Sequence, residues 1–443
     1  MRRMIREPWL MGRQLMLWVV LGGLTGTLVG VVVTYFLKLL FWSIAQTGHV
    51  ATIGIMVALP LGGLVTGMLI HYGAPDAAGH GTEAVIRAVH RQSGKINWKV
   101  APIKAIATIT TIAPGGSAGK EGPSAQIGAA VASALADLFR FSPAQRQRIV
   151  ICGIGAGFAS VFGTPVAGAI LGIEVLAIGD LWYDMLLPSF AAATMAYLTS
   201  RWLGLTWNYP APHLVPQVGL SFLGRAVVIG IAAGLAAYLL VLWMDGLHHF
   251  MGRLKDRRHW WPPLFPTIAG AALALLVLVV GREYSGLSLP LLTRALGGGS
   301  VAGLAFLWKI LFVGITLGFG MSGGIITPLF VIGATLGSML AGPLGLPPSV
   351  GADIGLVGVT AAGANAPIAG ILMGLELFGA QLAPEFLAAA VPAFILIGNH
   401  SVYPSQRVRL QKSPWVPIKT GVALEDSDMS AEDSSLERKR KEG

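Results

Sequence analysis

The stretch Gly115–Ile127, GGSAGKEGPSAQI, decides how the rest of the chain is read. Three glycines and a Ser-Ala pair precede Lys120-Glu121-Gly122-Pro123, and a small-residue apolar run follows. A helix cannot run cheaply through glycine-rich backbone, whereas proline suits a first helical turn. The segment therefore reads as irregular backbone feeding a helix N-terminus, with Glu121 near that terminus. Unsatisfied amides and the positive end of the helix dipole make such an end an anion site. A glutamate there fills the site when charged and leaves it when protonated or displaced.

Composition places that site in a membrane. Hydrophobic residues make up 54% of the chain and charged residues 12%, against about 25% charged in a soluble domain. Apolar runs at Leu15–Leu40, Ala51–Ile70 and Leu223–Met244 reach the roughly 20 residues of a spanning helix, and Ile268–Val280 is shorter but extends back through Phe265. The expectation is an all-α polytopic membrane protein with on the order of ten or more membrane helices. The first run is too long for a signal-peptide core and reads as a retained helix. Cys152, the single cysteine, excludes an intramolecular disulfide framework.

The net charge of +10 is mostly peripheral. Arg2, Arg3, Arg6 and Arg13 precede the first span and argue for a cytoplasmic N-terminus. Arg253, Lys255, Arg257 and Arg258 read as a second basic loop on the same side. Because these charges flank apolar spans, they do not point to nucleic acid. Beyond about Lys419 the polar run GVALEDSDMSAEDSSLERKRKEG reads as a disordered tail.

A repeat is visible within the chain itself. Ser117–Ala129 (SAGKEGPSAQIGA) and Ser322–Ala334 (SGGIITPLFVIGA) agree at six of thirteen positions, with prolines 205 apart (328 minus 123). Thr164–Leu176 (TPVAGAILGIEVL) and Ala366–Phe378 (APIAGILMGLELF) share Pro, Ala, Gly, Gly and Glu, with prolines 202 apart (367 minus 165). Such repeats are a transporter signature, with the substrate site at broken helices where the halves meet. The expected organisation is a basic cytoplasmic segment over 1–13, a first membrane repeat over 14–202 and a linker over 203–217. A second repeat over 218–411 and a disordered cytoplasmic tail over 412–443 complete it.

In chain order, helices are expected at about Gln14–Phe41 and Ala51–Tyr72. Gly79-His80-Gly81-Thr82-Glu83 then opens an amphipathic segment to about Arg91, its glycines allowing backbone to approach a ligand closely. Lys99–Ile112 carries Lys104, expected to snorkel to an interface. Ile149–Ser160, Thr164–Ile178 and Leu181–Leu198 complete the first half. In the second, Gly281–Ser300 holds no strong catalytic pattern. Gly320–Pro328 is the partner of the opening stretch, but Ile326 stands opposite Glu121. That breakpoint is expected to offer only amides and apolar side chains. An ionisable residue at membrane depth without an aligned partner, such as Glu121, is functional by default.

These residues resemble the CLC family of chloride channels and proton-coupled chloride transporters. Gly119-Lys120-Glu121-Gly122-Pro123 matches that family's GxEGP block. Gly79-His80-Gly81 falls where the family has GSGIP, Gly324–Pro328 where it has GxFxP, and Tyr403 at the pore tyrosine after the last helix. The resemblance covers about 15–411. It implies a CLC-type inverted repeat with broken and re-entrant helices meeting at a central anion site. It also implies a homodimer with one pathway per subunit, embedded in lipid of a bacterial inner membrane, with both termini cytoplasmic and no cofactor. Carried over, Glu121 is the outer gate and proton carrier. The amides of Lys120, Glu121 and Gly122 line the outer anion site, and those of Ile325 and Ile326, with the Tyr403 hydroxyl, line the central one. His80 and Gly81 line the selectivity position.

The chain departs from the family pattern at three places. His80 replaces a pore serine (or the proline of nitrate-selective members), with Thr82 and Glu83 in place of an apolar-proline pair. A histidine that donates when neutral and charges near neutral pH opens the way to a larger oxyanion or to pH dependence. Ile326 replaces phenylalanine. Val175 replaces the second of two glutamates, the family's inner proton acceptor, while Glu174 and Glu376 occupy equivalent repeat positions and read as structural.

Two transport readings follow. The first is anion (chloride)/proton antiport gated by Glu121. The alternative is a passive channel or uniporter, favoured by Val175, and in either case bicarbonate or nitrate is an alternative substrate because of His80. An enzyme is not expected, since the sequence has no nucleophile–base pair and no His/carboxylate cluster at metal-ligand spacing.

Overall fold

Glycine and proline punctuate this chain so regularly that its helices are short, and the two halves are cut alike. The computed structural model describes residues 2–49, 52–210, 219–258 and 260–427. The first half runs through α1 (Arg2–Gly48), α2 (Thr52–Met68), α3 (Thr82–Arg91), α4 (Val100–Ile112), α5 (Glu121–Leu138), α6 (Pro143–Phe162), α7 (Pro165–Glu174) and α8 (Leu186–Trp202). The second runs through α9 (Leu220–Arg258), α10 (Leu264–Val280), α11 (Leu289–Leu296), α12 (Ala305–Gly318), α13 (Ile326–Ala341), α14 (Pro348–Gly363), α15 (Pro367–Phe378) and α16 (Ala383–Leu396). Each helix of the first set has its counterpart in the second, in the same order.

Among the described residues three helical segments are long and apolar enough to cross a membrane alone: Leu10–Gly48, Ile53–Gly73 and Leu220–Leu254. Most of the other apolar helices span 10–17 residues. Helices that stop short of a full span are tolerable where their ends are buried in protein or line a cavity.

Close helix pairs organise each half, and the same glycines make both. Gly128 of α5 faces Gly153 of α6, where an added Cβ would lie 2.3 Å from the Gly153 carbonyl oxygen. The repeat-equivalent Gly333 of α13 faces Gly355 of α14, with 2.4 Å for the same construction. Small residues at such crossings let backbones touch, which in lipid replaces hydrophobic burial as the source of association.

The halves are also capped across one another. The Glu174 carboxylate accepts from the amides of Ile368 (3.1 Å) and Ala369 (2.7 Å) at the start of α15. Reciprocally, Glu376 accepts from Val166 (3.0 Å) and Ala167 (2.6 Å) at the start of α7. Each glutamate thus satisfies donors that proline-started helices leave open, at the end where the dipole favours negative charge.

Several sequence expectations shift. The first helix is longer than Gln14–Phe41, and the helix expected from Leu181 begins at Leu186. The basic cluster at Arg253–Arg258 forms the end of α9 rather than a loop. Of the 203–217 linker, 211–218 lie outside the described residues, but Trp207 packs against Gly163 and takes part in the site below. The tail expected to be disordered from 412 is ordered to 427. Arg407–Val408 pairs in parallel with Ala177–Ile178, a short 3₁₀ turn spans Leu424–Asp426, and Ile178, Val408, Ile418 and Leu424 form a small apolar cluster. Apolar residues spaced through a polar run were enough to dock it. Residues 428–443 lie outside the described residues.

Gly337→Ala would place a methyl 1.9 Å from the Gly351 carbonyl oxygen. The expected result is a loss on the order of 1–3 kcal/mol, seen as a lower thermal midpoint in detergent.

Candidate functional site

The two glycine-rich breakpoints meet back to back. Gly119 N–H donates to the Gly324 carbonyl at 2.7 Å, and Gly324 N–H donates to Gly119 at 2.6 Å, an isolated antiparallel bridge between the halves. Each segment is also held by a threonine of the opposite half. Ser117 N–H donates to Thr316 Oγ1 of α12 at 3.0 Å, and Ser322 N–H donates to Thr111 Oγ1 of α4 at 3.1 Å. The starts of α5 and α13 are thereby brought together at the centre of the molecule.

Only glycine fits at this junction. A Cβ on Gly122 would lie 2.0 Å from the His80 carbonyl oxygen, and one on Gly324 would lie 2.7 Å from the Gly122 nitrogen. Gly81, at φ +83°, would meet the Gly122 carbonyl at 2.5 Å. The His80 loop therefore packs directly on the Glu121-Gly122 backbone.

Glu121, 1% exposed, reaches across to the other half. One carboxylate oxygen accepts from Thr327 N–H at 3.0 Å, and the other accepts a short hydrogen bond from the Thr327 hydroxyl. Lys120 Nζ lies 3.4 Å from the same carboxylate. The Glu121 carboxyl group thus sits on the N-terminus of α13 as well as at that of α5. The expectation that the second breakpoint offers only amides and apolar groups is corrected here, because Thr327 adds a hydroxyl. The aligned position was occupied by isoleucine, and the hydroxyl is one residue further on.

Beside Lys120 lies a cavity of about 120 Å³ lined also by Val161, Trp207, Tyr209, Phe41 and Leu289, among others. Lys120 is buried and also donates to the Val161 carbonyl at 3.3 Å. Trp207 and Tyr209 come from the stretch read as a linker. An aromatic pair beside a span was the available signal.

The other face of the junction holds His80, Thr82 and Tyr403. His80 Nδ1, Thr82 Oγ1 and Tyr403 Oη are all buried without a hydrogen-bond partner, and the two hydroxyls face one another. The His80 and Tyr403 rings lie 5.6 Å apart. Buried polar groups are normally satisfied, so three orphans converging beside two helix N-termini mark a place for a polar ligand. Ile325 and Ile326 are fully buried at the start of α13, which provides backbone donors and apolar walls.

The loop that presents Tyr403 is tied down on three sides. Val402 N–H donates to Gly363 at the end of α14 (3.0 Å). Gln406 Nε2 donates to the carbonyls of Val175 (3.0 Å) and Ala364 (2.9 Å). Ser405 bonds Glu83 through both its amide and its hydroxyl. Val175 therefore anchors the pore loop through its backbone.

Lys104 is the main residue the sequence reading misplaced. Instead of snorkelling it is fully buried, donating to the carbonyls of Ala77 (3.0 Å) and Gly79 (2.5 Å) beneath the His80 loop. Its repeat partner, 205 residues on, is Lys309, equally buried and donating to Tyr284 (3.3 Å) and Gly286 (3.2 Å). Lys309 also reaches the hydroxyls of Ser117 and Ser288, both at 2.8 Å. One buried lysine per half thus gathers the carbonyls of a glycine loop and shapes it. The repeat offset was the signal, and local hydropathy hid it.

A broken-helix repeat protein with paired helix N-termini, a carboxylate lodged on them and orphaned donors below is an anion-transporting membrane protein. The comparisons specify the family. The voltage gated chloride channel family matches residues 62–398. A chloride/fluoride channel protein of Pseudomonas syringae pv. tomato is 34% identical over 432 residues, covering 95% of this chain and 93% of the relative. The voltage-gated ClC-type chloride channel ClcB of Salmonella typhimurium is 30% identical over 79% of this chain and 86% of its own. The crystal structure of a CLC-type fluoride/proton antiporter aligns with a TM-score of 0.83 at 29% identity, covering 89% of this chain and 98% of that one. A slow cyanobacterial Cl⁻/H⁺ antiporter shares the fold, with a TM-score of 0.76 at 20% identity over 86% and 94%. The chain belongs to the CLC family of voltage gated chloride channels and related antiporters. It is an integral membrane protein of anion transport, not an enzyme.

Lys104→Met would leave two buried carbonyls unpaired, each costing about 1–3 kcal/mol. A lowered thermal midpoint and a changed anion preference are expected together, because the loop that relaxes carries His80. Thermal melting and anion-exchange flux, each against wild type, provide the check.

Proposed function

We propose that the protein is a CLC-type anion/proton antiporter in which Glu121 is the gate and proton carrier. The observation that carries this reading is the Glu121 carboxylate seated on the N-terminus of α13 through Thr327. A carboxylate and a transported anion compete for such donors. Protonation weakens the hold of the carboxylate and frees the place, so proton entry and anion entry become alternatives at one position.

Lys120 to Gly122 and Ile325 to Thr327 supply the backbone donors on either side, and His80, Gly81 and Tyr403 form the central position. Nitrate and bicarbonate are the alternative substrates, because His80 stands at the selectivity position. Chloride and fluoride, named for the relatives, are the substrates of choice on this reading. The passive channel or uniporter is the second reading, favoured by the apolar Val175. A homodimer in the bacterial inner membrane, with one pathway per subunit and both termini cytoplasmic, completes the proposal.

Liposomes loaded with purified protein and a pH dye test it. An imposed gradient of chloride or fluoride is expected to move protons uphill. Glu121→Gln is expected to abolish that coupling, with a fall of at least about tenfold in proton flux, and to remove the pH dependence of anion flux. Unchanged coupling in Glu121→Gln would remove the glutamate from the mechanism, and anion flux without any proton movement in the wild type would favour the passive reading. His80→Ser is expected to reorder the anion preference in the same assay. An unchanged order would take His80 out of selectivity.

A further inference from the structure

Glu83 is a buried carboxylate for which the gating scheme has no use. It opens α3, directly after Thr82, one of the three orphaned polar groups at the central position. Its Oε2 accepts from Ser405 N–H at 3.3 Å, and its Oε1 accepts from the Ser405 hydroxyl. Ser405 lies two residues from Tyr403, so the carboxylate abuts both chain segments that line the site.

Away from the site, Glu83 faces a route to water. Arg87 NH2 lies 3.2 Å from Glu83 Oε1, and its side chain is 49% exposed against 10% for Glu83. Glu425 of the C-terminal strap is the other charged group near it, itself paired with Arg91 at 2.9 Å. The carboxylate thus stands between a polar pocket and a hydrated edge, with one arginine at the boundary.

We propose that Glu83 is the inner proton acceptor of this transporter, taking over the task left vacant by Val175. The proposal rests on the antiport reading above. A proton from inner water binds the Glu83 carboxylate to give the neutral acid. It then leaves Glu83 for water in the polar space beside Thr82 and Tyr403, and that water passes a proton on. Glu121 receives it, releases Thr327 as a neutral acid, and gives the proton up on the outer side. No bond other than O–H forms or breaks, and each water ends as it began. Arg87 stabilises the carboxylate that remains once the proton has moved on.

Glu83→Gln keeps one oxygen to accept from Ser405, and replaces the other, with its charge opposite Arg87, by an NH2 group. Glu83→Asp keeps a carboxylate, and Ser405→Ala breaks the tether while leaving Glu83 intact. Chloride and proton fluxes are recorded together in liposomes for each. The expected result for Glu83→Gln is a fall of at least about tenfold in proton flux with chloride flux within about threefold of wild type. Glu83→Asp is expected to restore part of the coupling, and Ser405→Ala to keep it. Wild-type coupling in Glu83→Gln would overturn the proposal while leaving antiport intact. Loss of both fluxes in Glu83→Gln, or the same uncoupling in Ser405→Ala, would overturn it in favour of a structural tether. A wild type that moves no protons overturns the antiport reading itself, and this proposal with it.

Discussion

Two hydrogen bonds between Gly119 and Gly324 are the constraint on which the site depends. They join irregular backbone to irregular backbone, at a depth where unpaired amides would be costly. Each breakpoint is the other's solution. The bridge satisfies one donor and one acceptor on each side and leaves the next amides, at the starts of α5 and α13, aimed into a shared space. Threonines 111 and 316 and lysines 104 and 309 extend the same logic outward, each half supplying what the other's loops lack. An internal repeat suits this architecture because one solution, duplicated and turned on itself, satisfies both copies.

That reciprocity explains which features were legible in the sequence. Gly, Pro and small-residue patterns are local, and they gave the broken ends, the offset near 205 and the order of helices. The match to GxEGP gave Glu121. Groups satisfied over long range were hidden. Thr327 bonds a residue 206 positions away, Ser405 one 322 away, and Lys309 a serine 192 away. A lysine in an apolar helix looks interfacial when judged by hydropathy alone, and only its partner one repeat later suggests a buried clamp. The segment 412–427 was hidden for the opposite reason, since two apolar side chains, Ile418 and Leu424, packed on Ile178 and Val408, dock a stretch whose composition is otherwise that of a tail.

The three departures from the family pattern gather in one volume. His80 and Thr82 present buried polar atoms without partners, Glu83 follows Thr82 and bonds Ser405, and the Val175 carbonyl holds the loop that carries Tyr403 through Gln406. Ile326 opens the helix whose second residue, Thr327, holds the Glu121 carboxylate. Positions scattered over about 250 residues of sequence are therefore neighbours in one network of contacts.

A carboxylate seated on the donors meant for an anion also limits how strongly that anion can bind. Every amide, hydroxyl or lysine that strengthens the hold on a transported ion strengthens the hold on Glu121 as well, because both are anions at the same helix end. Raising affinity by adding donors would lock the gate. Discrimination must come instead from groups the carboxylate does not touch in this arrangement, and the orphaned His80, Thr82 and Tyr403 are such groups. Lys104 acts on the backbone of the His80 loop, through the Ala77 and Gly79 carbonyls, and makes no bond to Glu121. On the proposed reading, the donors that hold the gate are thus separate from those that choose the ion, which lets a single narrow space do both.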